Sequence, residues 1–313
     1  MKPEVKFSIS EVKSFLACER QWSLSSRNRT PLRALETSTA LKLGTIFHES
    51  LAYAYNRKEE ANLEQILMTC APHLQNDKDF AILSKMLTGY FQDVLPTDLE
   101  KWEILEIEYC FNHPLVTLST KQLDVYITGA IDLIVYEAET NTIWGIEHKT
   151  AKAYRESTFA QMDAQPRLYA EMLTTLYLKD AISRNRVPSD AKVGGIIINE
   201  VKKLSTKFDY KRTVMQYDND SRLHFNANLT AILERMLNTL EQDFCAPTTH
   251  HASCSYCSFK NVCLEFTYKP VTVDTILHHE TLSEQFKVRT VDYIQEHLLS
   301  FNVLEDGGNN DNN

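Results

Sequence analysis

The stretch from Tyr126 to Thr150, YITGAIDLIVYEAETNTIWGIEHKT, restricts the folds open to this chain more than any other part of it. Two runs rich in β-branched and aromatic residues flank a polar centre at Glu139 and Thr140, which is the pattern of a β-hairpin. Side chains alternate across a strand. Asp132 therefore shares a face with Ala130 and Ile134, and Glu147 shares one with Lys149. With the turn centred between Glu139 and Thr140, Asp132 falls directly opposite Glu147. Like charges opposed across a hairpin destabilise it, and burying unpaired carboxylates costs several kcal/mol or forces protonation. Two readings fit these residues: a surface hairpin with one solvated acidic face, or a divalent-cation site with a lysine beside it.

The rest of the chain supplies an α/β frame. Ser8 to Leu24 reads as a helix opened by a Ser8–Glu11 capping box, with Val12, Phe15, Leu16 and Trp22 as its apolar stripe. Leu41 to Tyr55 is a second helix, carrying His48, and residues 59–95 look like a helical insertion ending near Pro96. Trp102 to Phe111 alternates as a strand before the hairpin. Helix is expected again over Ser157–Lys179, interrupted at Pro166, and then a buried strand at Val193–Val201. A further strand at Phe208–Tyr217, a helix at Arg222–Gln242, helix over 271–300 and a disordered tail at 301–313 complete the expectation. The order suggests a mixed β-sheet flanked by helices.

The net charge of −9 argues against a passive, sequence-independent DNA coat but leaves open an enzyme that meets nucleic acid along one groove. One basic stretch, Lys202, Lys203, Lys207, Lys211 and Arg212, stands out and reads first as a solvated hairpin. No apolar run approaches the roughly 20 residues of a membrane span, and MKPEVKFSIS lacks the apolar stretch of a signal peptide, so a cytoplasmic location is expected. Seven cysteines in such a chain are not a disulfide framework. Cys70, Cys110 and Cys245 read as core, whereas Cys254, Cys257 and Cys263 cluster within HHASCSYCSFKNVC.

Gly44 and His48, then Asp132, then Glu147 and Lys149, then Gln165 and Tyr169, stand in an order and spacing that resemble the PD-(D/E)XK nuclease superfamily and its RecB-like branch. Cys18 together with Cys254, Cys257 and Cys263 resembles the iron–sulfur group of that branch, which includes Cas4-type and AddB-type nucleases and phage exonucleases. The resemblance implies a restriction-endonuclease-like core over residues 1–300, with a helical insertion at about 56–100. It also implies an iron–sulfur module of residues 244–268 plus Cys18.

The resemblance further implies a metal-dependent DNA exonuclease that prefers single-stranded ends, working in the cytoplasm of a cell or of a phage host. Asp132, Glu147 and Lys149 would be catalytic. His48, Asp132, Glu147 and the backbone carbonyl of His148 would hold Mg²⁺ or Mn²⁺, with Gln165 and Tyr169 positioning the substrate. Cys18, Cys254, Cys257 and Cys263 would hold a [4Fe–4S] cluster, with zinc, and His250 or His251 in place of Cys18, as the alternative. Pro166 departs from a continuous helix and suits a helix start near Gln165. Read residue by residue, His48 also suits a packed helix histidine, and Tyr169 plain core. Two other functions use the same residues. One is a non-catalytic iron–sulfur DNA-binding scaffold, and the other a nuclease subunit dependent on a separate recombination, annealing or helicase partner.

Overall fold

The computed structural model describes residues 4–35, 39–118, 123–204, 206–248 and 251–289. The chain opens with β1 (Glu4–Ser8), α1 (Ile9–Ala17), α2 (Glu19–Ser25) and a short β2 (Leu32–Ala34). The Ser8–Glu11 capping box is present, but the expected single helix is broken at Cys18, whose backbone is extended. No Gly or Pro marks this break. It is a tertiary effect, since Trp22 turns inward to meet Phe7 and Phe15 at ring distances of 6.3 and 5.1 Å.

There follow α3 (Thr39–Arg57), α4 (Leu63–Cys70), α5 (Asp77–Asp93) and α6 (Leu95–Lys101, with Pro96 in its first turn). Next come the three long strands β3 (Glu103–Leu118), β4 (Leu123–Glu137) and β5 (Thr142–Ala151). α7 (Ser157–Met162), α8 (Ala164–Met172), a π-turn at Leu173–Tyr177 and α9 (Leu178–Ser183) cross back to β6 (Lys192–Lys202) and β7 (Tyr210–Met215). The chain ends in α10 (Asn219–Leu240), α11 (His251–Ser255), α12 (Lys260–Glu265), α13 (Val273–Leu277) and β8 (Phe286–Val288).

Six strands form one mixed sheet in the order β1-β4-β5-β6-β7, with β3 along the other edge of β4. β1 runs parallel to Asp124–Thr128 of β4, and β5 antiparallel to Leu133–Glu137. Because β3 occupies the opposite edge throughout, β1 and β5 share one edge of β4 in succession. Gly129 to Asp132 lie in the gap between them, with neither as partner on that edge.

Alternation sends β4 and β6 side chains to two cores. Ile134, Ile196 and Ile198 pack with α1, α8 and α10, whereas Leu133, Val135, Ile197 and Val201 pack with α3, α4 and α5. That double burial is why Val193–Val201 reads as a continuous apolar run. The arrangement is the expected mixed sheet flanked by helices, consistent with a restriction-endonuclease-like fold.

A third, smaller core joins Leu24 and Leu32 to Phe259, Val262, Ile276 and Phe286, and so ties the cysteine-bearing segment to the N-terminal helices. Over 271–289 the expected continuous helix is not what forms: after α13 the chain turns and pairs β8 with β2. Phe286 stacks on Phe259 at 5.4 Å, and this contact outweighs local helical preference. Residues 290–313, including the expected tail, lie outside the described residues. Cys70 and Cys245 are buried as expected, but Cys110 is exposed, because β3 is an edge strand of the sheet. No helix among the described residues is long and apolar enough to cross a membrane.

Candidate active site

The hairpin pairs Leu133 with Ile146, Ile134 with Gly145 and Glu137 with Thr142, the register expected from the sequence. A 3₁₀ turn at Ala138–Thr140 and Asn141 in the left-handed region (φ 51°) close it, a conformation that Asn tolerates. The ladder stops one pair short of Asp132 and Glu147. Instead of facing each other across a backbone pair, the two carboxylates flank the gap. Asp132 Oδ2 accepts the main-chain N–H of His148 at 2.7 Å.

α3 delivers His48, whose Nδ1 lies 3.3 Å from Asp132 Oδ2. Gly44 sits one turn earlier, where an added Cβ would meet Thr150 Oγ1 at 3.3 Å, so glycine lets α3 lie close against the end of β5. Lys149 Nζ forms an ion pair with Glu147 Oε1 and reaches Gln165 Oε1 at 3.4 Å. Gln165 Nε2 donates to Glu147 Oε1 at 2.8 Å and to the Tyr169 hydroxyl at 2.9 Å. The Asp163 side chain caps α8 by accepting from Gln165 N, so Pro166 falls in the first turn, where it costs no hydrogen bond. Tyr169 is buried against Phe111, whose ring occupies the space that a side chain at Gly129 would need. His48, Asp132, Glu147, Lys149, Gln165 and Tyr169 thus meet in one connected cluster at the mouth of the gap.

A further carboxylate belongs to the cluster, and sequence reasoning missed it. Glu108 lies on β3 between the pairs Ile107–Leu133 and Tyr109–Ile131, level with Asp132, and has a positive φ of 51°. Burial, with the charges of Asp132 and Glu147, pushes its pKa up to about 7. The signal was present as Glu106 and Glu108 in the alternating strand, but placing Glu108 opposite Asp132 requires the β3–β4 register.

The electrostatics are those of crowded negative charge. Burial and the neighbouring Asp132 raise the Glu147 pKa. Asp132 is pulled below its ordinary range because the His48 charge and hydrogen bond outweigh burial. Burial disfavours the His48 imidazolium, but Asp132 and then Glu147 more than reverse this and raise its pKa. Glu147 Oε2 is buried without a hydrogen-bond partner. A buried carboxylate oxygen of this kind fits a cation ligand, and the imidazole-plus-carboxylate donor set suits Mg²⁺ or Mn²⁺. Among the described residues, no group of three or more His, Cys, Asp or Glu side chains is already closed around a metal position. Here His48 lies against Asp132 Oδ2 and Lys149 against Glu147 Oε1.

The cysteines form a second cluster. Cys18 lies at the α1–α2 break, Cys254 in α11, Cys257 in the following turn and Cys263 in α12. Thr248 links two of them, with its N–H 3.4 Å from Cys18 Sγ and its carbonyl 3.7 Å from Cys254 Sγ. Burial raises the Cys257 and Cys263 pKa values, and the neighbouring thiols, including Cys18 and Cys254 for both, add to the rise. Of the two histidines weighed as alternatives, His250 lies outside the described residues, and His251 begins α11.

The basic stretch is largely committed elsewhere. Arg212 pairs with Asp98 through both terminal nitrogens, at 2.7 and 2.6 Å. Lys202 pairs with Asp209 at 2.8 Å and lies over the Tyr154 ring.

A family model described as the PD-(D/E)XK nuclease superfamily matches residues 6–264. No curated protein matches the chain. Among solved structures, one titled "Crystal structure of SSO0001" is similar at 15% identity and a TM-score of 0.35, over 84% of this chain and 87% of that one.

Proposed function

The chain belongs to the PD-(D/E)XK nuclease superfamily, whose members are metal-dependent nucleases, and from that premise we propose that it is a DNA exonuclease acting on single-stranded ends. The observation that carries the reading is the joining of Asp132, Glu147 and Lys149 to His48 and Gln165 around the unpartnered Oε2 of Glu147. His48, Asp132, Glu147 and the carbonyl of His148 would hold Mg²⁺ or Mn²⁺, with Glu108 as a further carboxylate at the same place. Such a cation supplies charge neutralisation at the phosphate and a more acidic water.

The chain's own groups do the rest. Lys149, kept charged by Glu147 and Asp132 against the effect of burial, is placed to orient the attacking water and to stabilise negative charge on the phosphate oxygens. Gln165 holds both Lys149 and Glu147 in position, and Tyr169 holds Gln165. Support for a single-stranded substrate comes from α7, which leads into α8 at the rim of the site. Its Phe159 and Met162 are 66% and 74% exposed, whereas Ala160 faces the core. An exposed aromatic beside a thioether, with Lys152 exposed just before them, suits unpaired bases stacking while a phosphate is held.

We place the protein in the RecB-like branch with a [4Fe–4S] cluster on Cys18, Cys254, Cys257 and Cys263. Support comes from the mutual influence of the four thiols and the separate core that binds their segment to α2 and β2. The cluster would act as a clip between distant parts of one nuclease domain spanning 1–300. In this reading residues 56–100 are its helical insertion, and 244–268 with Cys18 its cysteine module.

Labelled single strands blocked at the 5′ or the 3′ end, incubated with Mg²⁺ or Mn²⁺, test the function. Cleavage from one free end, lost in Lys149→Ala, is expected. No cleavage by the native protein, or undiminished cleavage by the variant, overturns it.

A further inference from the structure

On the face of β5 opposite Glu147 and Lys149, a chain of polar side chains is buried where apolar packing would be expected. His148 is 3% exposed, Asn199 and Tyr90 0%, and Tyr55 and Asp98 1%. Asn199 Nδ2 lies 3.0 Å from His148 Nδ1 and donates to the Tyr90 hydroxyl at 3.1 Å. The Tyr90 and Tyr55 hydroxyls are 2.8 Å apart, and Tyr55 donates to Asp98 at 2.6 Å. Arg212 bonds Asp98 through both terminal nitrogens and donates from Nε to Asn199 Oδ1 at 3.3 Å.

The donor inventory orients every link. Arginine only donates, so Asn199 must turn its carbonyl oxygen to Arg212 and its amide hydrogens to Tyr90 and His148. The hydroxyl hydrogen of Tyr55 goes to Asp98, so that of Tyr90 goes to Tyr55. The Asn199 amide faces His148 Nδ1 as a donor, so that nitrogen carries no proton, and Nε2 is buried without a partner. The Nδ1 of His148 is then the acceptor and its ring proton sits on Nε2. A buried carboxylate at Asp98 thus fixes the amide of Asn199, and Asn199 fixes the tautomer and rotation of His148. The Tyr55 ring stacks on His148 at 5.9 Å and holds the same plane.

His148 is the single residue between Glu147 and Lys149, and its main-chain N–H holds Asp132. We propose that Asn199 is a positioning residue for the nuclease centre. By locking the His148 side chain, it fixes the peptide that aims Glu147, Lys149 and Asp132 into the gap. The inference rests on the reading of those three residues as the hydrolytic site. It also gives the helical insertion a task, since Tyr90 and Asp98 come from α5 and α6. Partners that orient ligands from behind are worth about 10–100-fold in metal affinity or activity.

The test uses the full chain with Mn²⁺ as probe. Asn199→Asp keeps the acceptor toward Arg212 and the side-chain volume, but it replaces the donor toward His148 with an acceptor. Mn²⁺ binding, followed by the resonance of free Mn²⁺, should weaken about 10–100-fold at unchanged stoichiometry. kcat on single-stranded DNA should fall to match at unchanged KM, and ¹⁵N spectra of the histidines should show a proton arriving on His148 Nδ1. A purely structural role would instead reduce the number of sites and leave their affinity alone. If Asn199→Asp does not fold, Tyr90→Phe removes only the hydroxyl and should weaken Mn²⁺ binding in the same way. A folded variant with Mn²⁺ affinity and kcat within about two-fold of native overturns the proposal. A native protein that neither binds Mn²⁺ nor cleaves DNA would overturn the nuclease reading beneath it.

Discussion

Replacing Asp98 by alanine would remove the anion on which the buried chain ends. Asp98 is 1% exposed and accepts three short hydrogen bonds, two from Arg212 and one from Tyr55. Arg212 keeps 23% of its side chain exposed, and its guanidinium lies 4.9 Å over the Trp102 ring. Removing one partner of a buried pair costs about 3–5 kcal/mol, well above the ~1 kcal/mol ceiling of an exposed pair. At about 2–4 °C per kcal/mol for a domain of this size, the melting temperature should drop by about 6–20 °C. Asp98→Asn retains the shape and one acceptor and should lose less. Asp98→Leu combined with Arg212→Met should recover most of the loss, because no stranded charge remains. Thermal unfolding at 0.1 and 1 M salt is the assay, and a buried pair should give nearly the same loss at both. A loss under ~1 kcal/mol, or one that disappears at high salt, would refute the burial of Asp98 in this pair.

Three further outcomes are expected. In chelator, stability should fall as pH rises from about 4.5 through about 7, because Glu108 takes up protons in the fold that it releases on unfolding. Glu147 and His48, both with raised folded pKa values, contribute the same sign, while His148, lowered to about 3 by burial, opposes them in part. Glu108→Gln should therefore flatten the slope in part, and Mn²⁺ should reverse it; a slope unchanged by the variant removes Glu108 from the cluster. Protein purified without oxygen should be brown and carry about four irons per chain, with Cys18→Ala lowering iron content and melting temperature together; stoichiometric zinc would replace the cluster assignment. Phe159→Ala should raise KM for single-stranded DNA, with stacking worth about 1–3 kcal/mol per base, and leave duplex binding nearly unchanged; equal effects on both substrates would sink the stacking role.

The hairpin was legible because what sets its register is local: a polar turn at Glu139 and Thr140 between two runs rich in β-branched and aromatic residues. His48, Gln165 and Tyr169 were legible only through their order along the chain, since nothing in a helix sequence tells which strand it will face. Glu108 escaped because its register to Asp132 runs through a strand with irregularities at Ile104/Glu106 and Pro114/Val116. The break at Cys18 and the β2–β8 pairing escaped for a different reason. Both are imposed by contacts with residues far away in the chain, against a local preference for helix. The basic stretch looked like a surface feature, yet Arg212 is drawn inward by an aspartate more than a hundred positions earlier.

The sharing of one β4 edge by β1 and β5 has a kinetic consequence. Glu4 pairs with Asp124 and Ser8 with Thr128, so one wall of the catalytic gap is supplied by the earliest described strand and must wait for the middle of the chain to exist. Pairings between such distant segments are slow to form, because the entropy of closing the intervening loop is lost before any contact rewards it. The hairpin that carries Asp132, Glu147 and Lys149 can assemble early and alone. The gap it works in is finished only when β1 docks, so the hydrolytic groups should become competent late in folding. A chain shortened by its first eight residues would then keep every proposed metal ligand and catalytic side chain and still lack a finished active site.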